Sequence, residues 1–140
     1  MSIWYRSITV EQLNLRSQNT MAEFLGIQFT EVGDDYLLAT MPVNEKTKQP
    51  IGILHGGANV VLAETMASTA ANIVIDIEKQ YCVGLEINAN HIRSTTDGVV
   101  TGKTYPLHLG RSTQVWQIEI KNASGKLTCV SRMTASVLSR

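Results

Sequence analysis

QPIGILHGGANVVLAETMASTAANIVI, Gln49 to Ile75, carries a single formal charge, Glu64, between Lys48 and Asp76. Gly56 and Gly57 interrupt its apolar run, and glycines let a backbone turn sharply and a ligand approach a helix start closely. The spacing predicts a helix beginning near Ala58. Val60, Val61, Leu62, Ala63, Met66, Ala67, Ala70, Ala71, Ile73 and Val74 then lie around most of its circumference, so the helix reads as wrapped by other structure. Glu64 falls in its middle. An ionised carboxylate is expensive to bury in an apolar interior unless it has partners, so its presence there needs a reason.

Two reasons stand. Glu64 emerges at a subunit contact or pairs with an arginine; or it lines a cleft, where it attacks a substrate or activates water. Ser68, four positions on, shares its helical face and can bond the carboxylate or a water beside it. His55 precedes the glycines. The amides of Gly56 and Gly57 would point out of the helix start, where partial positive charge favours an oxyanion. A carbonyl polarised there would face Glu64 about two turns along, at ~1.5 Å of rise per residue. That is acyl-transfer geometry.

The composition narrows the alternatives. With 140 residues, 44% of them hydrophobic, the chain is expected to form one globular domain, 1–140, around one core. Twelve basic and twelve acidic residues give zero net charge, with no basic run, which argues against nucleic acid or an anionic membrane as partner. The start, Met1-Ser2-Ile3-Trp4-Tyr5-Arg6, lacks an apolar signal core, so a cytoplasmic location is expected. Residues 49–75 approach membrane-spanning length but are broken by Glu64, Asn59, Asn72, His55 and glycines. Cys82 and Cys129 are too few for a disulfide framework or zinc site and read as buried thiols in a reducing compartment. No Gly-x-Ser-x-Gly elbow or phosphate loop occurs, and three histidines show no metal-ligand spacing, so neither metal nor cofactor is expected.

Along the chain, Thr9-Val10-Glu11-Gln12 and Thr20-Met21-Ala22-Glu23 each place Gln or Glu three residues after a hydroxyl, the pattern of a capping box, and predict two short helices. Ile27 to Thr30 alternates, Gly33-Asp34-Asp35 turns, and Leu37, Ala39, Met41 and Val43 share a strand face. Pro50 favours an extended approach to His55. After the long helix the period becomes 2. Leu85, Ile87, Ala89, His91 and Arg93 share one face; Asp97-Gly98 and Asn122-Ala123-Ser124-Gly125 turn; Trp116, Ile118, Ile120 and then Leu127 to Val137 alternate. Four consecutive strands predict an antiparallel meander. With the first hairpin this gives an α+β fold, a long helix wrapped on one side by a five- to six-stranded antiparallel sheet. The other side of the helix is left bare, so the chain is expected to dimerise, with Glu64 facing loops of the next copy.

The quoted stretch carries a resemblance. Gln49-Pro50, Gly52, Leu54-His55-Gly56-Gly57, Ala63-Glu64-Thr65 and Ser68, with Ile3-Trp4, Met41-Pro42-Val43, Val83-Gly84, Asn88 to Arg93, Pro106 to Arg111 and Trp116, resemble the hotdog-fold acyl-CoA thioesterases of the phenylacetate and 4-hydroxybenzoyl-CoA type over most of the chain. The branch includes enzymes acting on 1,4-dihydroxy-2-naphthoyl-CoA in menaquinone synthesis. The resemblance implies Glu64 as nucleophile or general base, Gln49 donating to the thioester or the attacking species, and pairs of dimers, that is, a homotetramer. It also implies coenzyme A contacts from Gly84, from Asn90, His91, Ile92, Arg93 and Ser94, and from His108, Leu109, Gly110, Arg111, Ser112 and Thr113. Read from residue type alone, Arg93 and Arg111 are either a solvated rim or phosphate binders. Members often carry proline at the position of Ser94 and histidine at that of Ile92.

The expected activity is hydrolysis of an aromatic or medium-chain acyl-CoA, or of an aryl group on an acyl carrier. Gly56 would bind the carbonyl oxygen, Gln49 and His55 would orient the thioester, and Ser68 would orient the carboxylate or water. Coenzyme A is part of the substrate. Two rivals differ in class: an acyl-CoA or acyl-carrier binding module without catalysis, and a hotdog dehydratase, whose His-Phe-Pro-Gly type of loop the chain lacks.

Overall fold

The computed structural model describes residues 1–140. The alternation at Leu37, Ala39 and Met41 becomes strand β2, Leu37–Pro42, whose inward side chains are fully buried. It pairs with β1, Gln28–Val32, as the expected hairpin. Before them lie α1, Val10–Arg16, and α2, Met21–Phe24. The Thr9 capping box forms as read, but that at Thr20 does not. Asn19 turns left-handed at φ 60° and its own amide donates to Glu23 Oε2, while the Thr20 hydroxyl donates to Ser17 O at 2.6 Å.

The long helix, α3, spans Gly56–Ile73 and begins two residues before Ala58. His55 is the reason. Its Nδ1 accepts from the Gly57 amide at 2.8 Å and caps the helix, drawing both glycines into the first turn. Neither has positive φ. What position 56 requires is room, because a Cβ there would meet His91 Nε2 at 2.9 Å. Leu62, Ala63, Met66, Ala67, Ala70 and Ala71 are fully buried on one helical face, whereas Val60, Val61, Glu64, Thr65, Ser68 and Thr69 are only half-covered. One side meets the sheet and the other is partly open beside α1 and α2.

Four longer strands follow: β3 Gln80–His91, β4 Val99–Leu109, β5 Thr113–Lys121 and β6 Leu127–Ser139. The six-stranded antiparallel sheet has the order β1-β2-β4-β5-β6-β3. The expected four-strand meander is therefore wrong at one joint. β3 pairs with β6 at the far edge, and β2 takes the place beside β4. The physical cause is α3, which crosses the sheet face and delivers the chain to the opposite edge. A bulge between Gly84 and Glu86 also breaks the expected β3 face. Leu85 is the extra residue and stands 62% exposed, so it does not continue the half-buried series Ile87 and Ala89.

Trp116, Ile118 and Ile120 on β5 lie at the centre of a single core cluster of 25 buried residues. Trp4 stacks on Trp116 with ring centroids 6.3 Å apart and donates its indole N–H to Gly33 O. Buried Gln114 accepts from Trp116 Nε1 and donates to Ala71 O, tying β5 to α3. No helix is long and apolar enough to cross a membrane.

Cys82 and Cys129 are free and buried. Burial pushes both thiols up to about 11 from an ordinary 9.0. The folded chain keeps these protons where the unfolded chain releases them, so their contribution to stability is complete below pH 9.0 and is lost as pH rises towards 11. The melting temperature should fall over that window more steeply for the native chain than for a Cys82→Ala, Cys129→Ala variant; equal slopes would rule the coupling out.

Candidate active site

Glu64 is held by absence on one side and a hydroxyl on the other. Gly84 on β3 faces it so closely that a Cβ at 84 would lie 2.5 Å from Glu64 Oε1. Ser68, one turn along α3, donates from Oγ to the same oxygen at 3.5 Å. The ion pairs of the chain gather around Met1, Arg6 and Lys79 and none includes Glu64. Its carboxylate opens instead on a groove of about 370 Å³ lined by Met21, Val60, Val61, Thr65, Gly84, Leu85, Glu86 and Ile87. A half-buried carboxylate with no cation, facing a largely apolar groove, is a candidate for chemistry on a molecule bound there.

A second cavity, about 320 Å³, lies at the start of α3 and is lined by Gln49, Ile53, Leu54, Gly56, Asn59, His91, Ile92, Arg93, Ser94 and Thr95. The Gly57 amide is taken by His55, so of the two glycine amides expected to point outward only that of Gly56 is without an acceptor. Gln49 Oε1 accepts from the Ile51 amide, which leaves its NH₂ group to donate. A carbonyl oxygen brought here would find donors at the positive end of an 18-residue helix.

Within one chain these two halves do not meet. Gly56 and Glu64 are eight residues apart on α3, a rise of ~12 Å, and the two cavities share no lining residue. The expectation that one carbonyl could reach both along a single helix is corrected by that distance: two turns restore the facing direction, not proximity.

The outer positions separate further. His91, Ile92, Arg93 and Ser94 line the cavity at the helix start, while Asn90 does not. Leu109 to Thr113 make the tight β4–β5 turn, closed by the Gly110 amide donating to Thr113 O at 2.9 Å. His108 folds over Gly110, and Arg111 and Ser112 are exposed. None of His108, Leu109, Gly110, Arg111, Ser112 or Thr113 lines either cavity. No group of three or more His, Cys, Asp or Glu converges as metal ligands do.

Sequence reasoning overlooked Asn59 and Thr95. They are 5% and 8% exposed, line the helix-start cavity, and hold the two buried side-chain atoms that lack hydrogen-bond partners, Asn59 Oδ1 and Thr95 Oγ1. Asn59 was legible in principle, as an amide placed in the first turn of an otherwise apolar helix. Thr95, in a loop after β3, carried no signal.

Residues 51–129 match the family described as the Thioesterase superfamily. The chain is 54% identical over 136 residues to 1,4-dihydroxy-2-naphthoyl-CoA hydrolase of Escherichia coli K12, covering 97% of this chain and 99% of that protein. It is 48% identical over 136 residues to the proofreading thioesterase EntH of Cronobacter sakazakii, covering 97% and 98%. A solved mutant thioesterase from Pseudomonas aeruginosa matches at a TM-score of 0.98 and 44% identity, covering 99% of this chain and 100% of that one.

Proposed function

As this chain belongs to the thioesterase superfamily, we propose that it hydrolyses an aromatic acyl-CoA at a site built by two copies, with Glu64 and Ser68 from one and Gln49, His55 and Gly56 from the other. The observation that carries the reading is the free carboxylate of Glu64 on its groove, set too far along α3 to serve its own helix start. An edge to join by is available. β3 ends the sheet with no strand on its outer side; the Asn72 side chain takes the Cys82 amide and carbonyl at its start, and Val83 and Leu85 beyond stand 41% and 62% exposed. The resemblance implies dimers paired into tetramers.

In this site the thioester carbonyl oxygen accepts from the Gly56 amide and the Gln49 NH₂, and His55 keeps the helix start in shape. The Glu64 carboxylate either attacks the carbonyl carbon, expelling the CoA thiolate and leaving a mixed anhydride that water cleaves, or takes a proton from water as it attacks. Either route yields free acid and CoA thiol. Ser68 orients the carboxylate. No cofactor enters the reaction. Arg93 beside one cavity, and Arg111 on the β4–β5 turn, suit the phosphates of CoA by their planar, multi-donor geometry.

The apolar wall of Met21, Val60, Val61, Leu85 and Ile87 suits an aryl group, and the Escherichia coli relative favours a dihydroxynaphthoyl acyl part; a hydroxybenzoyl group and a place in menaquinone synthesis are what the family resemblance adds. Two buried free thiols fit a reducing cytoplasm. Acyl-CoAs of naphthoyl, hydroxybenzoyl, phenylacetyl and medium-chain type, read by thiol release, test the assignment: release with an aryl preference supports it. Thermal stabilisation without release would make the chain a binding module.

Shared sites make a second prediction. Glu64→Gln and Gln49→Ala chains, each inactive alone, should recover about a quarter of native activity when unfolded and refolded together. Half of the random dimers are then hybrids, and each hybrid has one intact site. No recovery from refolded, dimeric mixtures would place both halves in one chain.

A further inference from the structure

The helix-start cavity contains a polar pairing that the hydrolysis described above does not use. Asn59 Nδ2 lies 3.3 Å from His91 Nδ1, joining the first turn of α3 to the end of β3. A donation from Asn59 Nδ2 at this contact requires a bare Nδ1 and the imidazole proton on Nε2. Nε2 in turn stands against the helix start, 2.9 Å from where a Cβ of residue 56 would be. Glycine at 56 is what lets the ring come so close. The Gly56 amide beside it has no acceptor in the chain. Two further atoms in the same cavity, Asn59 Oδ1 and Thr95 Oγ1, are buried and unpartnered, a polar demand the chain alone leaves unmet.

We propose that His91 acts at the reacting end of the substrate, as a second donor beside the Gly56 amide to the thioester oxygen, and that Asn59 is the positioning residue that keeps its proton on Nε2. The inference rests on the proposed hydrolysis for its catalytic half; the tautomer stands apart from it. A neutral Nε2–H shares the negative charge that grows on the carbonyl oxygen as the carbon becomes tetrahedral, and it loses no proton in doing so.

The test has two arms. Nitrogen-15 imidazole spectra of the substrate-free native protein should show His91 protonated on Nε2 and bare on Nδ1. In Asn59→Asp the ionised carboxylate can only accept, so His91 should move its proton to Nδ1 or hold both. A native spectrum with Nδ1 protonated overturns the proposal whether or not any variant folds. In the kinetic arm, Asn59→Asp and His91→Ala should each lower kcat by ~10²-fold, near the loss seen when one oxyanion donor is removed. KM should stay within a factor of a few. The double variant should be no worse than His91→Ala, since one residue works through the other. A rise in KM for CoA esters at unchanged kcat would return His91 to binding the CoA portion, and additive losses would deny Asn59 its role. Should the native protein release no thiol from any acyl-CoA, it is the hydrolase reading that fails, and the spectra still decide the tautomer.

Discussion

Glu64→Gln is expected to lower kcat for hydrolysis of benzoyl-CoA by ~10²–10⁴-fold while the protein remains folded. The amide keeps the shape and can still take the Ser68 hydrogen bond, but it can neither attack a carbonyl nor accept a proton from water. Both routes open to Glu64 close together. Stability should change little, because no cation pairs with this carboxylate and none is left unpaired by its removal. The measurement is thiol release under saturating substrate, with a thermal melt as control. Turnover within tenfold of native would remove Glu64 from the chemistry.

Gly84→Ala should come close to that loss with no change at Glu64 itself. The added Cβ would lie 2.5 Å from Oε1 and 3.5 Å from the carboxyl carbon, and a flexible carboxylate yields more readily than a strand. The backbone at 84 does not have positive φ, so alanine fits it, and a strand interior loses nothing by exchanging glycine for alanine. The expected result is a melting temperature equal to or slightly above native with activity down by ~10²-fold, the scale of a 1 Å misplacement of a reacting group. The resemblance gave Gly84 a contact with CoA. A rise in KM at unchanged kcat would support that role over the seating of Glu64.

The site was legible in halves. Glu64, Ser68 and the glycines stood out because a charge and two residues without side chains are anomalies in an apolar helical run, and such anomalies survive without any knowledge of the fold. Their distance did not. Helical periodicity says which residues face the same way, and it is silent about whether ~12 Å of rise can be bridged. That the two cavities are separate within one chain was therefore invisible in the sequence. The two capping boxes show the same limit: Thr9 and Thr20 carry one pattern, yet at Thr20 a left-handed Asn19 sends the donor elsewhere.

By itself the sequence determined the α+β class, the buried helix, the first hairpin and the alternating strands of the core, because burial periodicity is a local property of each segment. Only the tertiary structure decided that β3 lies at the sheet edge beside β6, that a bulge turns Leu85 outward, that Gly84 seats Glu64 and that Asn59 meets His91. Each of these joins residues distant in the chain, and which strand lies next to which is settled by how α3 crosses the sheet, a packing choice shared by all the elements at once.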